Sequence, residues 1–206
     1  MTARRLIVGI SGATGAIFGI RLLEALRATC KVETHLVMSR WGQHTIEHET
    51  TLTVDAVRQL ADVTHTSTDL AATISSGSFL TDGMIIAPCS VKTLAAIATG
   101  YSETLISRAA DVVLKESRKL VLVLRESPLN TIHLNNMLSL ARLGVVIMPP
   151  VPAFYNHPAT LDDMIDHVVA RIMGHFDLDF PGAQRWDGRL RLPAQAVAAS
   201  GANDPL

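Results

Sequence analysis

Apolar runs alternate along the chain with segments in which apolar residues recur every three or four positions. Continuous runs rich in β-branched residues are typical of strands buried on both faces of a parallel sheet. They predict strands at residues 6–10, 32–38, 83–87, 120–124 and 145–148. The helical spacing predicts helices at residues 16–27, 91–99, 104–117, 131–143 and 160–175. This alternation predicts an α/β fold, a doubly wound parallel sheet in three layers (α/β/α).

The ends of three predicted helices carry terminating or capping residues. Gly100 and Gly144 follow helical segments, where glycine is favoured because it adopts the left-handed conformation without strain. Thr160 and Asp163 begin the last helix in a Thr/Asp variant of the N-capping pattern.

Polar and glycine residues follow each predicted strand. In open parallel sheets ligands bind beyond the carboxyl ends of the strands, so these segments predict the site. The segments are residues 11–15, 39–41, 88–92, 125–126 and 149–155.

The first of these segments is a glycine-rich turn, with Gly9, Gly12 and Gly15 between a strand and a helix. Backbone N–H groups of such a turn can approach a phosphate, and the hydroxyls of Ser11 and Thr14 add donors. The spacing is neither the dinucleotide-binding pattern nor a Walker loop. The alternative interpretation is a tight turn that serves packing alone.

The segment from Pro88 to Thr93 also opens a helix after a strand, and it predicts a second anion site. Its Cys89 is either a nucleophile or a small buried packing residue. Arg108, Asp111 and Lys115 share one face of a predicted helix, which forms either part of a phosphate site with Arg125 and Arg171 or a salt-bridged surface.

His44, Glu47 and His48 match the H-x-x-E-H pattern of some zinc hydrolases. The alternative is an exposed helical turn, and the other six histidines are dispersed along the sequence without an evident cluster.

Composition narrows the function classes. The chain has 206 residues, 48% apolar and 18% charged, with a net charge of -1 and two cysteines. A balanced charge argues against a basic nucleic-acid surface, and two cysteines cannot build a disulfide framework, so we expect a cytoplasmic protein. We expect one domain over residues 1–190, followed by a tail, residues 191–206, that is either disordered or wrapped on a neighbouring subunit.

Nine stretches, in order along nearly the whole folded chain, resemble the UbiX-type flavin prenyltransferases. They are IVGISGATGAIFGIRLL, ETHLVMSRW, ISSGSF, PCSVKTLAAIATGY, RAADVVLKE, KLVLVLRESPL, HLNNMLSL, IMPPVPAFYNHP and, near the end, RW at Arg185-Trp186. Trp41, SGSF and FYNHP resemble most the branch that accompanies hydroxyaryl acid decarboxylases.

The resemblance implies a Rossmann-like flavoprotein fold and a homododecamer with active sites at subunit interfaces. It implies transfer of the dimethylallyl group of dimethylallyl monophosphate to N5 and C6 of reduced FMN, without a metal. The prenylated FMN then serves a UbiD-type decarboxylase. An assembly with buried faces would also account for the low charged fraction.

The resemblance also assigns residues. It implies that FMN contacts Gly12, Ala13, Thr14, Ser39, Ser90, Val91, Lys92, Thr93 and Arg125. It implies that the prenyl phosphate contacts Arg108, Lys115, Arg125, Glu126, Tyr155 and Arg171. The catalytic residues would be Glu49, Glu126, Thr14 and Trp186.

The reaction calls for these residue types. Cations and an acid such as Glu126 would stabilise the leaving phosphate. Glu49 would accept a proton from the flavin, and Trp186 would face the allylic cation. Two alternatives remain: an FMN-dependent decarboxylase related to cysteine decarboxylases, and a flavin carrier without chemistry of its own.

Overall fold

The structure is a computed structural model that describes residues 4–181 and residue 188. Its strands are β1 (Arg4–Ile10), β2 (Val32–Met38), β3 (Val63–His65), β4 (Gly83–Cys89), β5 (Lys119–Leu124) and β6 (Val146–Ile147). Its helices are α1 (Ala16–Thr29), α2 (Arg40–Glu49), α3 (Val54–Arg58), α4 (Val91–Ala98), α5 (Leu105–Lys115), α6 (Thr131–Arg142) and α7 (Leu161–Gly174). Short 3₁₀ turns lie at Thr73–Ser75 and Phe154–Asn156.

The strands form one parallel sheet in the order β3-β2-β1-β4-β5-β6. The chain moves outward from β1 to β3, then returns to the other side of β1 with β4. This order confirms the doubly wound sheet and places its switch point between β1 and β4.

Two apolar cores cover the two faces of the sheet. Along β1, Leu6 and Val8 pack into the core that contains α1 and α7, whereas Ile7 packs into the core that contains α4 and α5. Every residue of β4 is buried. The continuous apolar runs therefore report strands covered on both faces, and the three-layer prediction is confirmed.

The predicted helix ends are also confirmed. Thr160 and Asp163 form a reciprocal capping box at the start of α7. Gly100 and Gly144 have φ values of 69° and 84°, in the left-handed region.

Some elements differ from the prediction. The sequence pattern missed β3 and α3, which are only three and five residues long. It also did not predict the ten-residue helix α2, of which it indicated only an exposed helical turn. β4 continues two residues further than predicted, to Cys89, and β6 stops at Ile147. Pro149 and Pro150 follow β6, and because proline lacks an N–H it cannot donate to a strand ladder.

The surface of α6 is unusually apolar. Within Thr131–Arg142 the one buried residue is Leu140. Apolar side chains on and beside this helix are exposed, namely Leu129, Ile132, Leu134, Leu138 and Leu143. In the described part of the chain, no helix has the length and apolar character needed to span a membrane.

Candidate active site

Ser11 ties the two strands together at the switch point. Its hydroxyl donates to the carbonyl of Pro88 at 2.9 Å and accepts from the N–H of Ser90 at 2.8 Å. The residue is 1% exposed. The expectation that Ser11 donates to a ligand is therefore wrong, because its hydroxyl holds β1 against the end of β4.

Gly12 is exposed and lies against the start of α2. A Cβ at Gly12 would lie 2.3 Å from the Cβ of Trp41, and a Cβ at Gly42 would lie 2.4 Å from the carbonyl oxygen of Ile10. Both positions thus require glycine. This close approach presents the backbone of Gly12, Ala13 and Thr14 as an open surface at the edge of the sheet.

Glu49 closes the start of α1. Gly15 is the N-cap of that helix, with a φ of 94°, and it has no side chain that could accept from the unpaired N–H groups of the first turn. The Glu49 carboxylate supplies the acceptor, because its Oε2 accepts from the N–H of Gly15 at 2.8 Å and of Ala16 at 3.1 Å. The carboxylate is thereby held beside the glycine-rich turn, and two N–H groups expected to face a phosphate are already bonded.

Two serines cap the neighbouring helices at the same edge. The hydroxyl of Ser39 accepts from the N–H of Gly42, and that of Ser90 accepts from the N–H of Thr93. The first turn of α4 carries no acidic residue. Since a helix N-terminus favours negative charge, α4 remains available for an anion where α1 does not.

The backbone of Arg125 joins this edge as well, because its N–H donates to the carbonyl of Cys89 at 3.1 Å. The segments after β1, β2, β4 and β5 thus meet. They carry the whole predicted FMN set, namely Gly12, Ala13, Thr14, Ser39, Ser90, Val91, Lys92, Thr93 and Arg125.

Cys89 is fully buried, and burial raises the pKa of its thiol far above the usual range. A nucleophile must ionise, so the interpretation of Cys89 as a nucleophile is wrong and the packing interpretation holds. Both cysteines are free, with Cys30 exposed.

The predicted phosphate residues do not meet within one protomer. Lys115 ends α5 just before β5 begins, whereas Arg125 follows the end of β5. The six residues of β5 span roughly 20 Å, so these two cations lie toward opposite edges of the sheet. Their convergence at one phosphate stays a prediction, and it would require a second chain, as the implied active sites at subunit interfaces would provide.

The cations of α5 are paired with neighbouring acids. Arg108 forms an ion pair with Asp111 at 2.6 Å, and Lys115 forms one with Glu116. The salt-bridged helix face thus describes this protomer. Exposed pairs of this kind contribute little to stability, so an incoming phosphate could replace the acidic partners.

Tyr155 lies in the second 3₁₀ turn. Arg171 lies near the end of α7, one turn before His175, whose carbonyl accepts from Lys119 at the start of β5. Glu126, next to Arg125, is half-buried, and its carboxylate accepts from the N–H of Ser127 at 3.0 Å. Trp186, predicted as a catalytic aromatic residue, lies outside the described residues.

The zinc pattern lies along the outer part of α2, where His44, Glu47 and His48 are all exposed. Residues 4–181 hold no group of three or more His, Cys, Asp or Glu side chains that could bind a metal. The exposed-helix interpretation therefore describes this segment. One histidine pair was missed by the sequence analysis: His35 Nδ1 and His65 Nε2 lie 2.9 Å apart across β2 and β3.

Comparisons with known proteins agree with this geometry. The model of the Flavoprotein family matches residues 1–173. A probable UbiX-like flavin prenyltransferase of Streptomyces sp. (strain D7) is 66% identical over 192 residues, which cover 93% of this chain and 96% of that protein.

Two solved structures share the fold. The dodecameric FMN-dependent UbiX-like decarboxylase from Escherichia coli O157:H7 has a TM-score of 0.88 and 62% identity, covering 89% of this chain and 100% of that one. AnUbiX (PadA1), in complex with FMN and dimethylallyl pyrophosphate, has a TM-score of 0.88 and 55% identity, covering 90% of this chain and 98% of that one. The chain belongs to the Flavoprotein family and, within it, to the UbiX-like flavin prenyltransferases.

Proposed function

We propose that this protein joins the dimethylallyl group of dimethylallyl monophosphate to N5 and C6 of reduced FMN, releasing phosphate. The product, prenylated FMN, would serve a UbiD-type decarboxylase. The observation that carries the proposal is the open glycine turn at the switch point of a chain 66% identical to a probable UbiX-like flavin prenyltransferase. The reaction needs no metal, and the cytoplasm is the proposed location.

The residues at the switch point fit a flavin mononucleotide. Gly12 presents backbone without a Cβ, and the N-terminus of α4 lacks a competing acid. Lys92 and Arg125 add positive charge at the same edge. When bound, reduced FMN supplies the nucleophilic ring atoms, and the protein's contribution is to bind and orient them.

Glu49 is the proposed base. Its carboxylate is held by the N–H groups of Gly15 and Ala16, so it is oriented beside the glycine turn before any ligand arrives. Such preorganisation suits a group that must accept a proton from a ring held there. Thr14 adds a hydroxyl in the same turn, and Trp186 is the proposed aromatic neighbour of the prenyl group.

The leaving phosphate needs cations and an acid. Arg125, Tyr155 and Arg171 are proposed contacts, with Glu126 as the proton donor. Lys115 and Arg125 flank opposite ends of β5, so Lys115, together with Arg108 on the same face of α5, would come from a neighbouring chain. The exposed apolar face of α6 supports an assembly, and we propose the dodecamer that the Escherichia coli O157:H7 relative forms.

The decisive assay uses the full chain without oxygen, with dithionite, FMN and dimethylallyl monophosphate. We expect the extracted flavin to gain the mass of one five-carbon prenyl unit, with release of phosphate. A flavin of unchanged mass would refute the proposal. Turnover of a carboxylic acid by the protein alone would favour the FMN-dependent decarboxylase instead.

Glu49→Gln and Glu126→Gln separate an enzyme from a flavin carrier. Both substitutions preserve side-chain size and remove the ionisable group. An enzyme would lose turnover while it retained FMN, whereas a carrier would respond to neither substitution. Light scattering tests the assembly, and a monomer in solution would contradict it.

A further inference from the structure

The turn that carries Tyr155 has little packing to hold it in place. None of the three residues of Phe154–Asn156 is buried, and Phe154 is 69% exposed. The residue before the turn, Ala153, provides no side-chain cap. Specific polar contacts must therefore fix the turn, because an exposed segment without burial gains too little to offset its conformational entropy.

One such contact joins the turn to α7. Asn156 Nδ2 lies 2.7 Å from Nδ1 of His167. The ring of Tyr155 meets the ring of His167 edge-on, with centroids 5.8 Å apart and an interplanar angle of 87°. Two adjacent residues of the turn thus contact the same histidine, one through a hydrogen bond and the other through an aromatic contact.

Arg171 follows His167 by four residues in α7, so the two side chains share one face of the helix. Burial, and then the charge of Arg171, lower the pKa of His167, which favours a neutral ring at neutral pH. A neutral ring can accept the amide hydrogen of Asn156 at Nδ1 while it lies beside a guanidinium.

We propose that Asn156 and His167 are positioning residues that hold Tyr155 beside Arg171, so that the two form a preorganised site for the phosphate of the prenyl donor. The inference rests on the proposed function. The hydrogen bond fixes the turn, the ring contact orients the phenol, and the helix sets the spacing to the guanidinium. Binding then loses less side-chain freedom than it would with a mobile turn.

Two substitutions of His167 separate the hydrogen bond from the ring contact. His167→Phe retains an aromatic ring and loses the acceptor, whereas His167→Asn places an amide oxygen near the position of Nδ1. We expect His167→Phe and Asn156→Ala each to raise the KM for dimethylallyl monophosphate about five- to tenfold, with kcat little changed. We expect a smaller rise in KM for His167→Asn than for His167→Phe, because the asparagine retains an acceptor.

The control is His175→Phe. His175 is a half-buried histidine at the end of the same helix, so this variant reports general damage to α7. FMN affinity and thermal unfolding are measured for every variant. The double variant Asn156→Ala/His167→Phe would be no worse than either single one, because both remove the same bond.

The outcomes separate the two proposals. If the wild-type protein prenylates FMN, and His167→Phe and Asn156→Ala have the wild-type KM for dimethylallyl monophosphate, the positioning role is refuted and the proposed function stands. If FMN affinity, thermal stability and KM worsen together, or His175→Phe has the same effect, the role is merely structural and the inference is overturned. A wild-type protein that yields no prenylated FMN would overturn both.

Discussion

The flavin edge, which comprises the segments after β1, β2, β4 and β5, is built differently from the proposed phosphate residues. At the flavin edge, strand ends are bonded to one another through Ser11, Ser39 and Arg125. Arg125 and Glu126 follow β5 at this same edge, but the other proposed phosphate residues lie on α5, in the second 3₁₀ turn and on α7, and their side chains are partly or fully exposed. The segments of the first region meet within one chain, whereas Lys115 of the second lies at the opposite end of β5 from Arg125.

This difference separates residues that the sheet brings together within one chain from residues whose convergence depends on how chains assemble. Parallel strands bring their carboxyl ends together as soon as the sheet forms, so the residues that follow them meet without a partner. Residues on helices gain no such convergence. In the proposed assembly a second chain would supply Lys115, and the exposed apolar surface of α6 is available for a contact between chains.

The largest effect is expected where the backbone approach is closest. Gly12→Ala would place a Cβ 2.3 Å from the Cβ of Trp41, so α2 would have to move away from the glycine turn. We expect FMN affinity to fall about a hundredfold, which corresponds to about 2.8 kcal/mol. Flavin fluorescence titration measures the loss.

The matched control is Gly174→Ala, because a Cβ there meets no atom within 4 Å. It would leave FMN affinity unchanged. Equal affinity in the two variants would show that the close approach at Gly12 does not shape the flavin edge.

Ser11→Ala tests the link between β1 and β4. It removes the acceptor of the Ser90 N–H and the donor to Pro88 in a buried position, so the free energy of unfolding would fall by about 2 kcal/mol. Urea denaturation measures the change. Ser139→Ala, which removes an exposed hydroxyl bonded to its own helix, would cost less than about 0.5 kcal/mol. A similar loss in the free energy of unfolding for the two variants would mean that the Ser11 hydrogen bonds do not specifically hold β1 against β4.

A smaller effect concerns the pH dependence of stability. It arises at β3, the outermost strand of the sheet, away from the flavin edge and the phosphate residues. Burial, and then the charge of His35, lower the pKa of His65 below its ordinary value of 6.5. Below that value the unfolded chain binds a proton that the folded chain does not, so stability falls as the pH decreases from about 6.5.

The lowered pKa values of His167 and His175 act in the same direction, and those of the Glu33 and Asp62 carboxyls add a further loss at lower pH. Urea midpoints at about pH 7.5 and 5.5 test this, with His65→Gln reducing the difference. A midpoint that rises toward pH 5.5 would contradict the assignment.

The sequence predicted the sheet well because its strands are long apolar runs. It missed β3 because three residues, with an exposed Thr64 at the centre, leave no pattern. The candidate site likewise has a part that the sequence predicts and a part that it does not. The convergence at the flavin edge followed from the positions after the strands, whereas the contact between Glu49 and Gly15 joins residues 34 positions apart with no periodic signal.

Other contacts cannot be predicted from the spacing of apolar and polar residues. Nothing in the sequence indicates that Asn156 bonds His167 or that His35 meets His65, because each contact arises from the path of a loop or the pairing of a short strand. The sequence placed Arg108, Asp111 and Lys115 on one helix face and offered a salt-bridged surface as one interpretation, which the pair of Arg108 with Asp111 confirms. The pairing of Lys115 with Glu116 and the separation of Lys115 from Arg125 required the fold.

The most direct test of a site shared between chains is subunit mixing. Lys115→Ala and Arg125→Ala are each expected to be inactive. When the two variants are co-expressed in one particle, about a quarter of randomly assorted sites would contain neither change, and prenylation would return to that fraction of the wild-type rate. Lys92→Ala mixed with Arg125→Ala is the control. It would stay inactive, because both residues belong to one chain's flavin edge. Recovery only in the first mixture is the predicted result, and no recovery there would contradict the shared site.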